Sequence, residues 1–269
     1  MEQTGIRKLW DILYPFVCIL LCMMMSTMIG FMGFGLLTGL QGLNNEMVLV
    51  LFPWLSLVIS LIASVLTMVI LRKTLMLDQL KFGFNKKDWK PWQYAAAALT
   101  GTAAGHVWSS LIYVSGIAKI FTGYSDGASR AFSGQPIWLV VLSTVLAVPV
   151  AEELVFRWMI YRRAKHWYGR AAGLVISALL FGLYHANVVQ FIYAAGFSIL
   201  LTYLYEKSGN ILAPVLAHAG ANLWAVILDQ FLPEYSTAPT LRFLAAEVLL
   251  AAIGTLGTVL PFRFASKEQ

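Results

Sequence analysis

Eight apolar runs divide the sequence, and most are long enough to cross the hydrocarbon layer of a bilayer. They cover Leu13–Leu37, Met47–Leu71, Trp92–Phe121, Pro136–Tyr161, Ala171–His185, Val188–Tyr205, Ile211–Leu228 and Leu241–Leu260. In hydrocarbon every backbone N–H and C=O must be satisfied within the chain, which leaves only helices and closed barrels as spanning structures. Continuous apolar runs of this length, without alternation, predict helices. The fold expected is all-α: a polytopic membrane protein of about eight helices, one membrane-embedded domain over residues 1–269. The fifth and sixth runs are short, and a hairpin entering only part of the bilayer is an alternative for them. The first run contains Cys18–Met28 with no small-residue cleavage site after it, so it reads as a retained helix.

Composition excludes the soluble classes. Of 269 residues, 59% are apolar and only 12% charged, and the mean hydropathy is +0.73. The net charge of +6 needs no nucleic-acid partner, because sixteen of the nineteen Lys and Arg residues fall at one face of the topology and only Lys119, Arg130 and Arg242 at the other. Basic loops beside anionic lipid headgroups account for the excess. The asymmetry predicts cytoplasmic termini. Cys18 and Cys22 lie one turn apart in one run and read as packing residues rather than a disulfide.

Ionisable groups inside spans are rare and are functional candidates by default. The fourth run carries Glu152, Glu153 and Arg157; the fifth ends Phe181-Gly-Leu-Tyr-His185; the seventh holds His218-Ala-Gly-Ala-Asn222; His106 and Glu247 lie in the third and eighth. Glu153 and Arg157 are four residues apart and can neutralise each other, whereas Glu152 points about 100° away. Glu152 is left to act as a base toward water or to bind a metal. Phe181 lies one turn from His185 and can buttress its ring. Counting about 1.5 Å per residue from the basic boundary puts Glu152 roughly 15 Å deep, His218 about 12 Å, Asn222 about 18 Å and His185 about 22 Å. These similar levels predict one cavity, open to the cytoplasm, shared by residues of the motif-bearing core 136–230.

The series Glu152-Glu153-Leu-Val-Phe-Arg157, Phe181-Gly-Leu-Tyr-His185 and His218-Ala-Gly-Ala-Asn222 resembles the ordered motifs EExxxR, FxxxH and HxxxN of the CAAX protease and bacteriocin-processing family of intramembrane endopeptidases. The resemblance implies hydrolysis of a peptide bond near the C-terminus of a protein or peptide substrate, classically a prenylated one. It implies that Glu152 and His185 activate water, that His218 and Asn222 stabilise the oxyanion, and that Glu153, Arg157 and Phe181 support them. A metal version stays open beside a metal-free one, since Glu152, His185 and His218 are a donor set suited to Zn²⁺. There is no HExxH, and the metal-free glutamate version is preferred here.

Other readings weigh less. Ser177 and Ser198 have no base at helical spacing, and the cysteines lie outside the motif-bearing part. His106 reads as a hydrogen-bonded core histidine, Glu247 as a paired core carboxylate, His166 as solvated, and Trp92, Trp108, Trp158 and Trp167 as anchors or packing. A non-catalytic scaffold or bacteriocin-immunity protein that keeps the protease fold is the principal alternative. A transporter would call for broken helices in inverted repeats, and no repeat is visible.

Overall fold

A computed structural model of the protein describes residues 4–42, 45–82, 89–120 and 134–231, together with positions 249 and 252. Among these residues the chain forms six long helices: α1 (Gly5–Gln41), α2 (Asn45–Phe82), α3 (Pro91–Val114), α4 (Ile137–Tyr184), α5 (Val188–Ser208) and α6 (Leu212–Phe231), with a single helical turn at Ile117–Ile120. Five of them, all but α3, are long and apolar enough to cross a membrane. Their outward faces are apolar too. Leu21, Met24, Met28 and Met32 on α1 and Val65, Val69 and Ile70 on α2 are all exposed, which suits lipid and would be unstable against water.

Among the described residues the helical runs number six, one of them broken in two at Gly169. The eighth expected run, Leu241–Leu260, and Glu247 with it, lie outside the described residues. Within α4 the fourth and fifth expected runs are two helical segments that meet at Gly169, whose φ 85° and ψ 170° are non-helical. That backbone region is open essentially to glycine alone. The second segment folds back along the first, with Ser177 Oγ donating to the Phe156 carbonyl at 3.0 Å. A helical arm therefore replaces the basic loop expected after Tyr161. Arg162 and Arg163 are buried on it, and Arg157, counted above among the boundary charges, is fully buried deeper in the bundle.

Arg163 ties three helices together. Its Nε and Nη2 donate to the two carboxylate oxygens of Asp78 on α2, both at 2.9 Å, while Nη1 donates to the Asp11 carbonyl on α1 at 2.6 Å and Nη2 also reaches the Tyr14 hydroxyl at 2.8 Å. Trp167 Nε1 donates to Asp11 Oδ2 at 2.9 Å. Planar bidentate pairing of this kind is the strong form of an ion pair.

On the other side of the bundle α3 and α6 meet backbone to backbone. A Cβ at Gly101 would lie 1.7 Å from the Ala217 carbonyl oxygen, and one at Gly220 would lie 2.3 Å from the Ala98 carbonyl oxygen. Thr102 Oγ1 donates across this contact to the Gly220 carbonyl at 3.1 Å. Small residues at a membrane helix interface permit such approach, and dispersion and polar contacts then hold the pair. His106 accepts a hydrogen bond from Trp224 Nε1 at 3.1 Å in the same interface, as a buried core histidine should. This contact fixes the helix that carries His218 and Asn222. Cys18 and Cys22 are both free thiols.

Candidate active site

The two glutamates sit where the α4 hydrogen-bond ladder is irregular. Val141–Ala147 and Leu154–Tyr161 are π-helical and flank the α-helical Val148–Glu153. Such wide turns are rare and often mark functional sites. In the first, the Val148 N–H bonds the Ser143 carbonyl five residues back. The same register would pair the Thr144 carbonyl with residue 149, which is proline and has no N–H. That carbonyl accepts instead from Asn222 Nδ2 at 2.8 Å. Asn222 thereby pins α6 to α4 with one of its two amide hydrogens.

Glu153 joins two helices rather than only setting its own. Its Oε1 accepts from Arg157 Nη1 at 2.8 Å and from His218 Nδ1 at 2.9 Å. Glu153 and Arg157 have no exposed surface, and His218 has little. A carboxylate paired with arginine only accepts, so the His218 Nδ1 bears hydrogen and Nε2 is turned the other way. There it faces Glu152, whose Oε2 lies 3.8 Å off, too far for a hydrogen bond. The Glu152 Oε2 is buried with no hydrogen-bond partner among the described residues.

Phe181 is the hub of the remaining contacts. The Arg157 guanidinium lies 4.4 Å from its ring centroid, and the rings of His185 and His218 meet it edge-on at 5.1 Å and 5.8 Å between centroids. His185 ends α4, and its Nδ1 donates to the Phe181 carbonyl at 2.9 Å, which leaves Nε2 as the outward nitrogen. The reversal that follows is set by Ala186 at φ 52° and by Asn187, whose Oδ1 accepts from the Val189 and Gln190 N–H groups to start α5. On α5, Phe197 packs edge-on against His218 at 5.9 Å.

The fold thus brings Glu152, Glu153, Arg157 and His218 into one buried network and sets His185 across Phe181 from it, with Asn222 one turn beyond His218. Sequence spacing did not reveal the Glu153 contact to His218, nor Thr144 and Phe197; Pro149 in an apolar run was the available signal for the first irregular turn. Among the described residues no three His, Cys, Asp or Glu side chains are gathered to hold a metal ion. The Nδ1 of His185 and of His218 is held by protein, which leaves each Nε2 as the nitrogen available to water or to a metal.

Residues 134–224 match the family described as type II CAAX prenyl endopeptidase Rce1-like. The motif-bearing core is Rce1-like. This span holds every site residue named above. Over 178 residues, 64% of this chain and 70% of the relative, the sequence is 25% identical to the "Putative membrane peptidase YdiL" of Bacillus subtilis (strain 168). It is 26% identical over 132 residues, 48% of this chain, to UPF0177 protein YbdI of Lactococcus lactis subsp. lactis (strain IL1403), covering 71% of that protein. A 97-residue match to the B. subtilis protein YpbD is 33% identical and covers 35% of this chain and 49% of that one. No solved structure matches. With its long apolar helices the chain is an integral membrane protein, and its residues 134–224 are similar to the Rce1-like family.

Proposed function

We propose that this protein is an intramembrane endopeptidase that hydrolyses a peptide bond near the C-terminus of a protein or peptide substrate, in a bacterial cell membrane and with both termini in the cytoplasm. The observation that carries the reading is the contrast between the two glutamates. Glu153 is engaged by Arg157 and His218, whereas Glu152, one residue away and equally enclosed, presents an unpartnered oxygen to His218 Nε2 at 3.8 Å. One water can touch both atoms.

In this reading Glu152 takes a proton from that water as its oxygen attacks the substrate carbonyl carbon. The negative charge that develops on the carbonyl oxygen is met by the Asn222 amide hydrogen not used on Thr144 and by the Nε2–H of a His218 protonated on both nitrogens. Collapse of the tetrahedral species breaks the C–N bond, and the proton held by Glu152 passes to the leaving amine. His185, hooked through Nδ1 to Phe181, offers Nε2 to the same water. Glu153 and Arg157 orient His218 and do not touch substrate. This reading assigns no step to a metal.

The test uses the full-length protein in detergent with a quenched peptide library, half of it prenylated. Glu152→Gln should lower turnover by about 10² to 10⁴, the usual contribution of a positioned acid or base, while leaving the unfolding midpoint unchanged. Turnover that survives Glu152→Gln refutes the assignment of the base, and loss of wild-type turnover to a chelator with recovery on adding zinc refutes the metal-free step. Absence of turnover under every condition, with partner capture unaffected by the substitution, favours the scaffold.

A further inference from the structure

Four buried polar groups near the site have bonds left over. Glu153 Oε2, Arg157 Nε and Nη2, Ser198 Oγ and Thr202 Oγ1 are all enclosed, and none has a hydrogen-bond partner among the described residues. The two hydroxyls differ from others in this bundle. Ser60, Ser64, Thr67, Thr100 and Ser109 each donate to the carbonyl four residues back on their own helix, the ordinary resort of a hydroxyl in an apolar setting. Ser198 and Thr202 make no such bond.

The register of α4 and α5 says where they lie. The Tyr161 ring meets that of Tyr205 at 6.2 Å, and Lys165 pairs with Glu206 at 2.5 Å, so the two segments run parallel and in contact. One turn back from Tyr161 and Tyr205 are Arg157 and Thr202; a further turn back are Glu153 and Ser198, beside Phe197 on the His218 ring. The unsatisfied donors of Arg157, the unsatisfied acceptor of Glu153 and the two hydroxyls are therefore level with one another along the two segments. Buried polar groups without protein partners are met by internal water where two to four of them converge.

We propose that α4 and α5 enclose a hydrated seam running from the Glu153, Arg157 and His218 network toward the Lys165–Glu206 ion pair, and that Ser198 and Thr202 are positioning residues that hold its water. The half-exposed Lys165 and its partner stand at the seam's cytoplasmic end. Water held on Ser198 and Thr202 completes the second oxygen of Glu153 and the free edge of Arg157, and so keeps His218 aimed at Glu152. The catalytic consequence rests on the protease reading; the hydration does not.

Radiolytic hydroxyl-radical labelling of the full-length protein in detergent, read by mass spectrometry, tests it, because radicals form from bound water beside the side chains they mark. Tyr161 and Tyr205 should be labelled several-fold faster than Phe156, although all three are buried. The S198A/T202V double variant should bring Tyr161 down to the level of Phe156 and lower kcat roughly tenfold with KM unchanged, the rate equivalent of one lost hydrogen bond. The S198T/T202S variant, which keeps both hydroxyls, should restore labelling and rate. Wild-type Tyr161 labelled no faster than Phe156, or labelling indifferent to loss of the hydroxyls, overturns the seam. Labelling as expected in a protein without peptidase turnover keeps the seam and sinks the protease reading instead.

Discussion

Removing one member of the buried Glu153–Arg157 pair should be far worse than removing both. At the 2.8 Å separation of Arg157 Nη1 and Glu153 Oε1, and with an effective dielectric near 20, the attraction is about 6 kcal/mol. Neither side chain has exposed surface, and withdrawing each ion from water costs several kcal/mol, so the pair as a whole contributes close to nothing. Glu153→Gln leaves the guanidinium without its counter-ion, and Arg157→Met leaves the carboxylate with only the His218 N–H; each should destabilise by about 3–5 kcal/mol. The double variant removes both charges and should lie within about 1–2 kcal/mol of wild type. Reversible unfolding in mixed micelles with increasing dodecyl sulfate measures all four proteins on one scale. Strict additivity, with the double variant as damaged as the two single losses summed, would mean the residues do not act as a pair and the placement of both is wrong.

Two further outcomes follow from the packing. Gly101→Ala should force α3 and α6 apart, costing at least the 1–3 kcal/mol or so of an overpacked core, because its methyl would sit 1.7 Å from a carbonyl oxygen; Gly33→Ala, with nothing within 4 Å, should be neutral or slightly stabilising. Equal effects at the two positions in the same unfolding assay would contradict the close helix contact. Arg163→Met strands the enclosed Asp78 carboxylate and should cost about 3–5 kcal/mol. It should also speed maleimide labelling of the buried Cys22 on α1, and a labelling rate unchanged from wild type would remove Arg163 as the tie between α1 and α2.

The sequence by itself determined that this chain belongs in a membrane, because runs of apolar residues admit no other solvent, and it marked the candidate site residues, because an ionisable group inside such a run stands out. Glu152, Glu153, Arg157, His185 and His218 were legible for that reason, as was the core role of His106, and Asn222 through the motif it shares with His218. Tertiary structure alone decided how they divide the work. Glu153 and Arg157 read as a local pair at helical spacing with Glu152 left over, and only the approach of α6 gives Glu153 its second partner, His218. Asn222 meets Thr144 because Pro149 falls in a π-helical register, a coincidence of ladder and proline that periodicity does not encode. The fourth and fifth expected spans likewise meet with no long loop between them, since a single glycine at positive φ, Gly169, can reverse the chain between two helical segments where charge pattern alone suggests a loop.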